Sequence, residues 1–392
     1  MEYTSDSTVK DSLMGRVLPN DTAAERELKK GNLYYIFKFL IVAIFCFIFY
    51  NTGSSWIGRI IKTIYKSDID INISLTARTT LALALWYGLH SLITVCNKNL
   101  TDSWQFIFHT SFLWAHTLVF IAIWVGMWFI PDKLFDIYLE VAKFISGFYL
   151  LLQIFFLVDW FHELNDKFYD ENNMKVIIIS TVIFTISAIV GFSLEFYFFC
   201  LSGCGLETGI VSTNLILCIL VFLGAMFTER GSIFTASLVC CYIAYLTAAG
   251  LMCHTSQRPG KSPATCSRIS QTASNNVFRV FSSLFTLAWM TYSAFSASNS
   301  IDACKCKEDD PNDDTPKFSL SFFHGVYALA AVYLTMIVTS WASVGGNNET
   351  ASWTTDKGKV ARWVNFGASW VTLALYILSL IAPLICPDRD FD

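Results

Sequence analysis

Apolar runs of about 20 residues recur along this chain, the length an α-helix needs to cross a hydrocarbon core of about 30 Å. They fall at 32–50, 75–96, 104–130, 134–164, 174–199, 209–227, 232–253, 277–297, 319–343 and 362–385, and each predicts a transmembrane helix. Trp and Tyr gather near several of their ends, as interfacial anchors do. Residues 1–31 form a polar N-terminal tail and 32–392 a transmembrane domain of about ten spans. One stretch is too long for a perpendicular crossing. From Lys133 to Asp170 there is no proline, and a helix of about 35 residues is roughly 50 Å long. It must cross obliquely or emerge into water, and its polar far end, DWFHELND, predicts emergence there.

Composition places the chain in the same class. Of 392 residues, 54% are hydrophobic and 15% charged, against about 25% charged in soluble domains. The net charge of -4 is dispersed, with no basic block to hold nucleic acid. The first 31 residues lack the apolar core of a cleavable signal peptide. An even number of spans puts both termini on one side, and the Lys and Arg distribution makes that side cytoplasmic. In the first connection, IGRIIKTIY reads as a short amphipathic interfacial helix. Cys200, Cys204, Cys253 and Cys266 then lie in or beside connections on the opposite, oxidising side, where disulfides persist. Their pairing stays open. Of the N-x-S/T sequons at Asn20, Asn72, Asn99 and Asn348, only Asn72 and Asn348 face that side as glycosylation candidates.

Chemistry-bearing residues inside apolar runs are few. Asp159 and His162 share a face of the long helix, with Asp166 four residues beyond His162. They read either as a headgroup-binding or proton-sensitive pair, or as an ordinary helix exit satisfied by water. Glu195, in GFSLEFYFF, is expensive in hydrocarbon unless paired or hydrated, and is a functional candidate by default. Asn214, with Ser212 and Thr213, gives its span a polar stripe that suits helix–helix bonding more often than a ligand site. Arg78 and Arg279 lie in the first turns of their spans, from which they can snorkel. The six histidines show no metal-ligand spacing; His109 and His116, seven apart, share a face at most. Cys304 and Cys306 in the acidic loop CKCKEDDPNDD make no zinc or redox site alone. No phosphate loop, dinucleotide fingerprint or nucleophile elbow appears. The chain therefore reads as no enzyme, with no metal and no cofactor.

Several segments resemble the serine incorporator (Serinc/TMS) family. LVDWFHELND (157–166) is similar to the family's LIDFAHSWNE, matching at Asp159, His162 and Asn165. STNLILCIL (212–220), YIAYLTAAGLMC (242–253) and SLSFFHGVYALAAVYLTMIVTSW (319–341) have counterparts in the same order. The tail from Trp363 to Asp392, with SWV, LYxxSLIAPL and DRDFD, carries the most specific likeness. Departures are the charged opening, where the family has a cysteine-rich apolar one, and TAAG where it has TWSA. The resemblance implies an all-α, ten-span fold of two helical subdomains joined by a long tilted fourth helix. It also implies lipid handling, with bound phospholipids as ligands: non-ATP-driven phospholipid scrambling, or support of serine-derived lipid metabolism. Asp159, His162, Glu195 and Asn214 are the candidates for lining a polar groove. Two other readings are a structural, lipid-contacting subunit of a larger membrane complex, with protein partners on the N-terminal tail, and an ion-coupled solute transporter. An endomembrane, the plasma membrane or, for a complex subunit, an organellar membrane is expected.

Overall fold

The computed structural model describes residues 23–52, 71–95, 104–171, 173–228, 231–259, 261–269, 288–289, 291–292, 320–339, 341 and 359–385. Among these the only strand-like feature is an isolated antiparallel bridge, Gln257 to Thr265. All else of regular structure is helical. Helix α1 is Ala23–Thr52, α2 Ile71–Ile93, α3 Trp104–Thr110 and α4 Leu113–Gly126. Then come α5 Asp132–Asp170, α6 Met174–Phe199, α7 Gly205–Phe227, α8 Ile233–Cys253, α9 Leu320–Val338 and α10 Lys359–Ile385.

Seven of these helices are long and apolar enough to cross a membrane, or eight if the bent pair α3–α4 counts as one span. The count of about ten is therefore not reached among the described residues. The expected second span is a helix, Ile71–Ile93, but with Asn72, Arg78 and three threonines in its first half it is not one of these seven. The eighth, 277–297, lies outside the described residues save four positions. The N-terminal tail proves partly helical, since α1 starts at Ala23 rather than near Asn32. The tail before residue 23, the segment IGRIIKTIY, Arg279, Cys304, Cys306, Asn20, Asn99 and Asn348 also lie outside the described residues. Asn72 sits in the first turn of α2.

The chain forms two compact units, one from residues 1–146 and 287–339, the other from 147–286 and 340–392. Helix α5 is unbroken for 39 residues, about 58 Å, and passes from the first unit to the second between Ser146 and Gly147. In the first unit α2 is the central helix, packed against α1, α4 and α9. In the second, α8 is central and packs against α6, α7 and α10. Its position explains its composition. Small residues (Ala236, Ser237, Ala244, Ala249, Gly250) let neighbours approach on several sides, as membrane helix interfaces require. A Cβ at Gly250 would stand 2.5 Å from Cε1 of Phe366 on α10, so glycine is what this crossing tolerates. Helix α6 is the opposite case. It buries only the stripe Ala188, Phe192, Glu195 and Phe199, and turns Ile178, Val182, Ile186 and Ile189 outward.

The third expected span, 104–130, is not one rod. It breaks at Ser111–Phe112 with a 78° bend, and Phe112 takes a left-handed conformation at φ 55°. A non-glycine residue there costs on the order of 1–3 kcal/mol. The bend brings His109 and His116 into one buried cluster.

Candidate functional site

In the second unit, the residues singled out in sequence separate into different environments. Asp159 is exposed on α5. His162 is half-buried, with Nε2 3.1 Å from Ser379 Oγ and its ring stacked on Tyr376. Ser379 donates its one proton to the Tyr376 carbonyl, so His162 Nε2–H must be the donor between them. Asn165 Oδ1 accepts from Ser232 Oγ at 2.7 Å, and Thr235 Oγ1 donates to the Phe161 carbonyl at 3.4 Å. The DWFHELND segment therefore braces α5 against the start of α8 and the latter part of α10.

Asn214 is fully buried on α7. Its amide donates to Thr247 Oγ1 on α8 at 2.7 Å and to Ser369 Oγ on α10 at 3.3 Å. Its carbonyl accepts from Trp370 Nε1 at 3.0 Å. Three helices meet on one side chain, and its polar atoms are all engaged in holding them. Glu195 is different. It is 2% exposed on α6, and neither carboxyl oxygen has a hydrogen-bond partner; the backbone of Ala248 on α8 is the polar group acting on it. Ala248 follows Thr247, so Glu195 and Asn214 flank α8 at one level without touching. The four sequence candidates are not brought into one groove.

At one end of this unit, Cys204 and Cys266 form a disulfide with Cα atoms 5.8 Å apart. Of the pairings that spacing left open, this is the one the fold brings together; Cys200 and Cys253 are thiols. Beside it Glu207 Oε1 accepts from the Ser256 amide at 2.9 Å and faces Arg362 Nη1 at 3.4 Å. Cys204, Glu207 and Cys266 have the proximity of a metal triad, but sulfurs bonded to each other offer no thiolate. Arg258 ties the connection down by donating to the carbonyls of Ser202 and Pro263.

The first unit holds a cluster that sequence reasoning missed. Four of the six histidines, His90, His109, His116 and His324, gather around the buried ring of Tyr35. His109 closes α3 and His116 opens α4, so the bend at Phe112 places both here. His116 Nε2 lies 3.0 Å from the Phe108 carbonyl, and its Nδ1 lies 3.0 Å from His90 Nε2. His109 joins His324 at 3.0 Å and Asn32 Oδ1 at 2.9 Å. Gly31 makes room for it, since a Cβ there would stand 2.9 Å from the His109 ring. Lys38 is buried beside them, donating to the His116 carbonyl at 3.2 Å and lying 3.6 Å from the Trp86 ring centre. Heptad spacing of His109 and His116 was the one signal in the sequence; His90 and His324 arrive from remote helices. Arg78 does not snorkel. It is buried against the turn after α4, bonded to the Met127 and Ile130 carbonyls and stacked on Phe135.

The serine incorporator (Serinc) family model matches residues 21–315 and 300–389. Serine incorporator 3 of Bos taurus is 24% identical over 400 residues, covering 83% of this chain and 82% of the relative. A probable serine incorporator of Dictyostelium discoideum is 26% identical over 353 residues, covering 81% and 83%. Serine incorporator 2 of Bos taurus is 25% identical over 360 residues, covering 80% and 78%. With its long apolar helices and a family match over most of its length, the chain is an integral membrane protein that belongs to the serine incorporator family.

Proposed function

We propose that this protein handles phospholipids, easing the passage of headgroups between leaflets without ATP and without catalysing a covalent reaction. The observation that carries this reading is Glu195. A carboxyl group with no hydrogen bond, on a helix whose other faces are apolar and outward, stands on an α-helix suited to lipid contact. A headgroup ammonium that leaves the outer face of α6 and reaches this buried stripe would find there the partner that the protein itself withholds, which lowers the cost of a charge in hydrocarbon. His162 and Asn214 serve as framework in this proposal, holding α5, α7, α8 and α10 together while α6 keeps its outer face for lipid. Bound phospholipids are its ligands, both termini are cytoplasmic, and the N-terminal tail is the place for protein contacts. In vesicles made with the purified full chain, labelled phospholipid should exchange between leaflets faster than in protein-free vesicles with no nucleotide added. Equal rates would contradict the reading.

A further inference from the structure

The first unit carries a feature independent of lipid handling, and it follows from counting protons on two imidazoles. His90 Nδ1 is 2.8 Å from the Trp86 carbonyl, and His116 Nε2 is 3.0 Å from the Phe108 carbonyl. A carbonyl only accepts, so each of these nitrogens must carry the hydrogen. A neutral imidazole has one N–H. The remaining nitrogens, His90 Nε2 and His116 Nδ1, would then both be bare lone pairs. Yet they face each other at 3.0 Å, a hydrogen-bond distance. Two bare lone pairs repel there. One proton between them removes the conflict.

We infer that His90 and His116 form a proton-binding site, an imidazole–imidazolium pair that holds one proton between His90 Nε2 and His116 Nδ1. The second pair shows why the conclusion is specific to the first. His109 Nε2 donates to Asn32 Oδ1, its Nδ1 accepts from His324 Nε2, and His324 Nδ1 is left without a partner. That chain closes with both rings neutral. A metal ion in place of the proton does not fit. Structural zinc takes four ligands, and the only group of three or more potential ligands among the described residues is Cys204, Glu207 and Cys266.

The charge has compensation and opposition. The Trp86 ring lies 4.2 Å from the His90 ring, tilted by 45°; the Trp86 and Phe108 carbonyls accept from the outer nitrogens. The titratable groups facing the pair among the described residues are Lys38 and Tyr35 from α1, His109 from α3 and His324 from α9. Lys38 repels the proton, and none of these groups is a carboxylate. The site therefore binds its proton by geometry, through the two carbonyls that pin the rings.

The test is nitrogen NMR of the full chain, labelled at histidine with nitrogen-15 and held in phospholipid nanodiscs at pH 7. The expected spectrum contains one histidine pair with two fully protonated outer nitrogens and two inner nitrogens that share a third proton. That signature is lost in His116→Gln, whose amide donates to His90 Nε2 without an added proton, and is kept in His162→Gln. The variants serve for assignment; the wild-type spectrum decides, even if His116→Gln fails to fold. Overturning results are one bare and one protonated nitrogen in each of His90 and His116, or a stoichiometric metal retained by the purified protein.

Discussion

Gly250, Glu207, Arg362 and Cys200 show how much rests on single side chains in the second unit. Gly250→Ala puts a methyl 2.5 Å from Phe366, and overpacking of this kind costs about 1–3 kcal/mol; a lowered thermal midpoint in detergent is the expected reading. Glu207 and Arg362 are both buried, 3.4 Å apart. Removing one partner strands a buried charge at a cost of about 3–5 kcal/mol. Glu207→Gln or Arg362→Met alone should therefore destabilise more than the two together, in a double-mutant cycle of unfolding midpoints. Cys200, at the end of α6, has its thiol pushed up chiefly by burial, with the Thr208 hydrogen bond pulling the other way. Since the thiolate is the reactive form, Cys200 should be alkylated more slowly than an unperturbed thiol near pH 8. Its rate should keep climbing with pH after an ordinary thiol has levelled off.

Helices differ in how openly the sequence announces them, and the reasons are physical. Helix α6 ends at the expected residues because an uninterrupted apolar run is bounded by Asn172–Asn173 and by the Ser202–Gly203 turn. The length of α5 was legible for the same reason: no proline interrupts it. The break between α3 and α4 was not legible, because HTSFLW contains neither proline nor glycine and the bend is stabilised by tertiary contacts of His109 and His116. Glu195 stood out as a carboxylate in an apolar run, whereas the histidine cluster draws on four helices and has no local spacing to reveal it. Pairing of Cys204 with Cys266 likewise needed the fold, with a sequence separation of 62. A cross-link over such a loop is worth about 4 kcal/mol in the chain-entropy account. Cys266→Ser should lower the unfolding midpoint, with a reducing agent producing the same shift in the wild type and none in the variant.

At the scale of the whole molecule, the chain belongs to the serine incorporator family, and its two helical units have distinct polar interiors. The first is rich in histidine and contains Lys38 and Arg78. Among its described residues the second combines a buried carboxyl without a hydrogen-bond partner, Glu195, with networks whose partners are largely satisfied. The lipid-handling account assigns its work to that carboxyl, so it predicts a charge requirement at one residue. The most direct measurement compares leaflet exchange of labelled phospholipid in vesicles containing wild type, Glu195→Gln or the exposed-site control Asp159→Asn. A lost charge-assisted hydrogen bond is worth about 1.5–3 kcal/mol, so Glu195→Gln should slow exchange by about tenfold or more while Asp159→Asn stays near the wild-type rate. Exchange by Glu195→Gln at the wild-type rate would contradict the account.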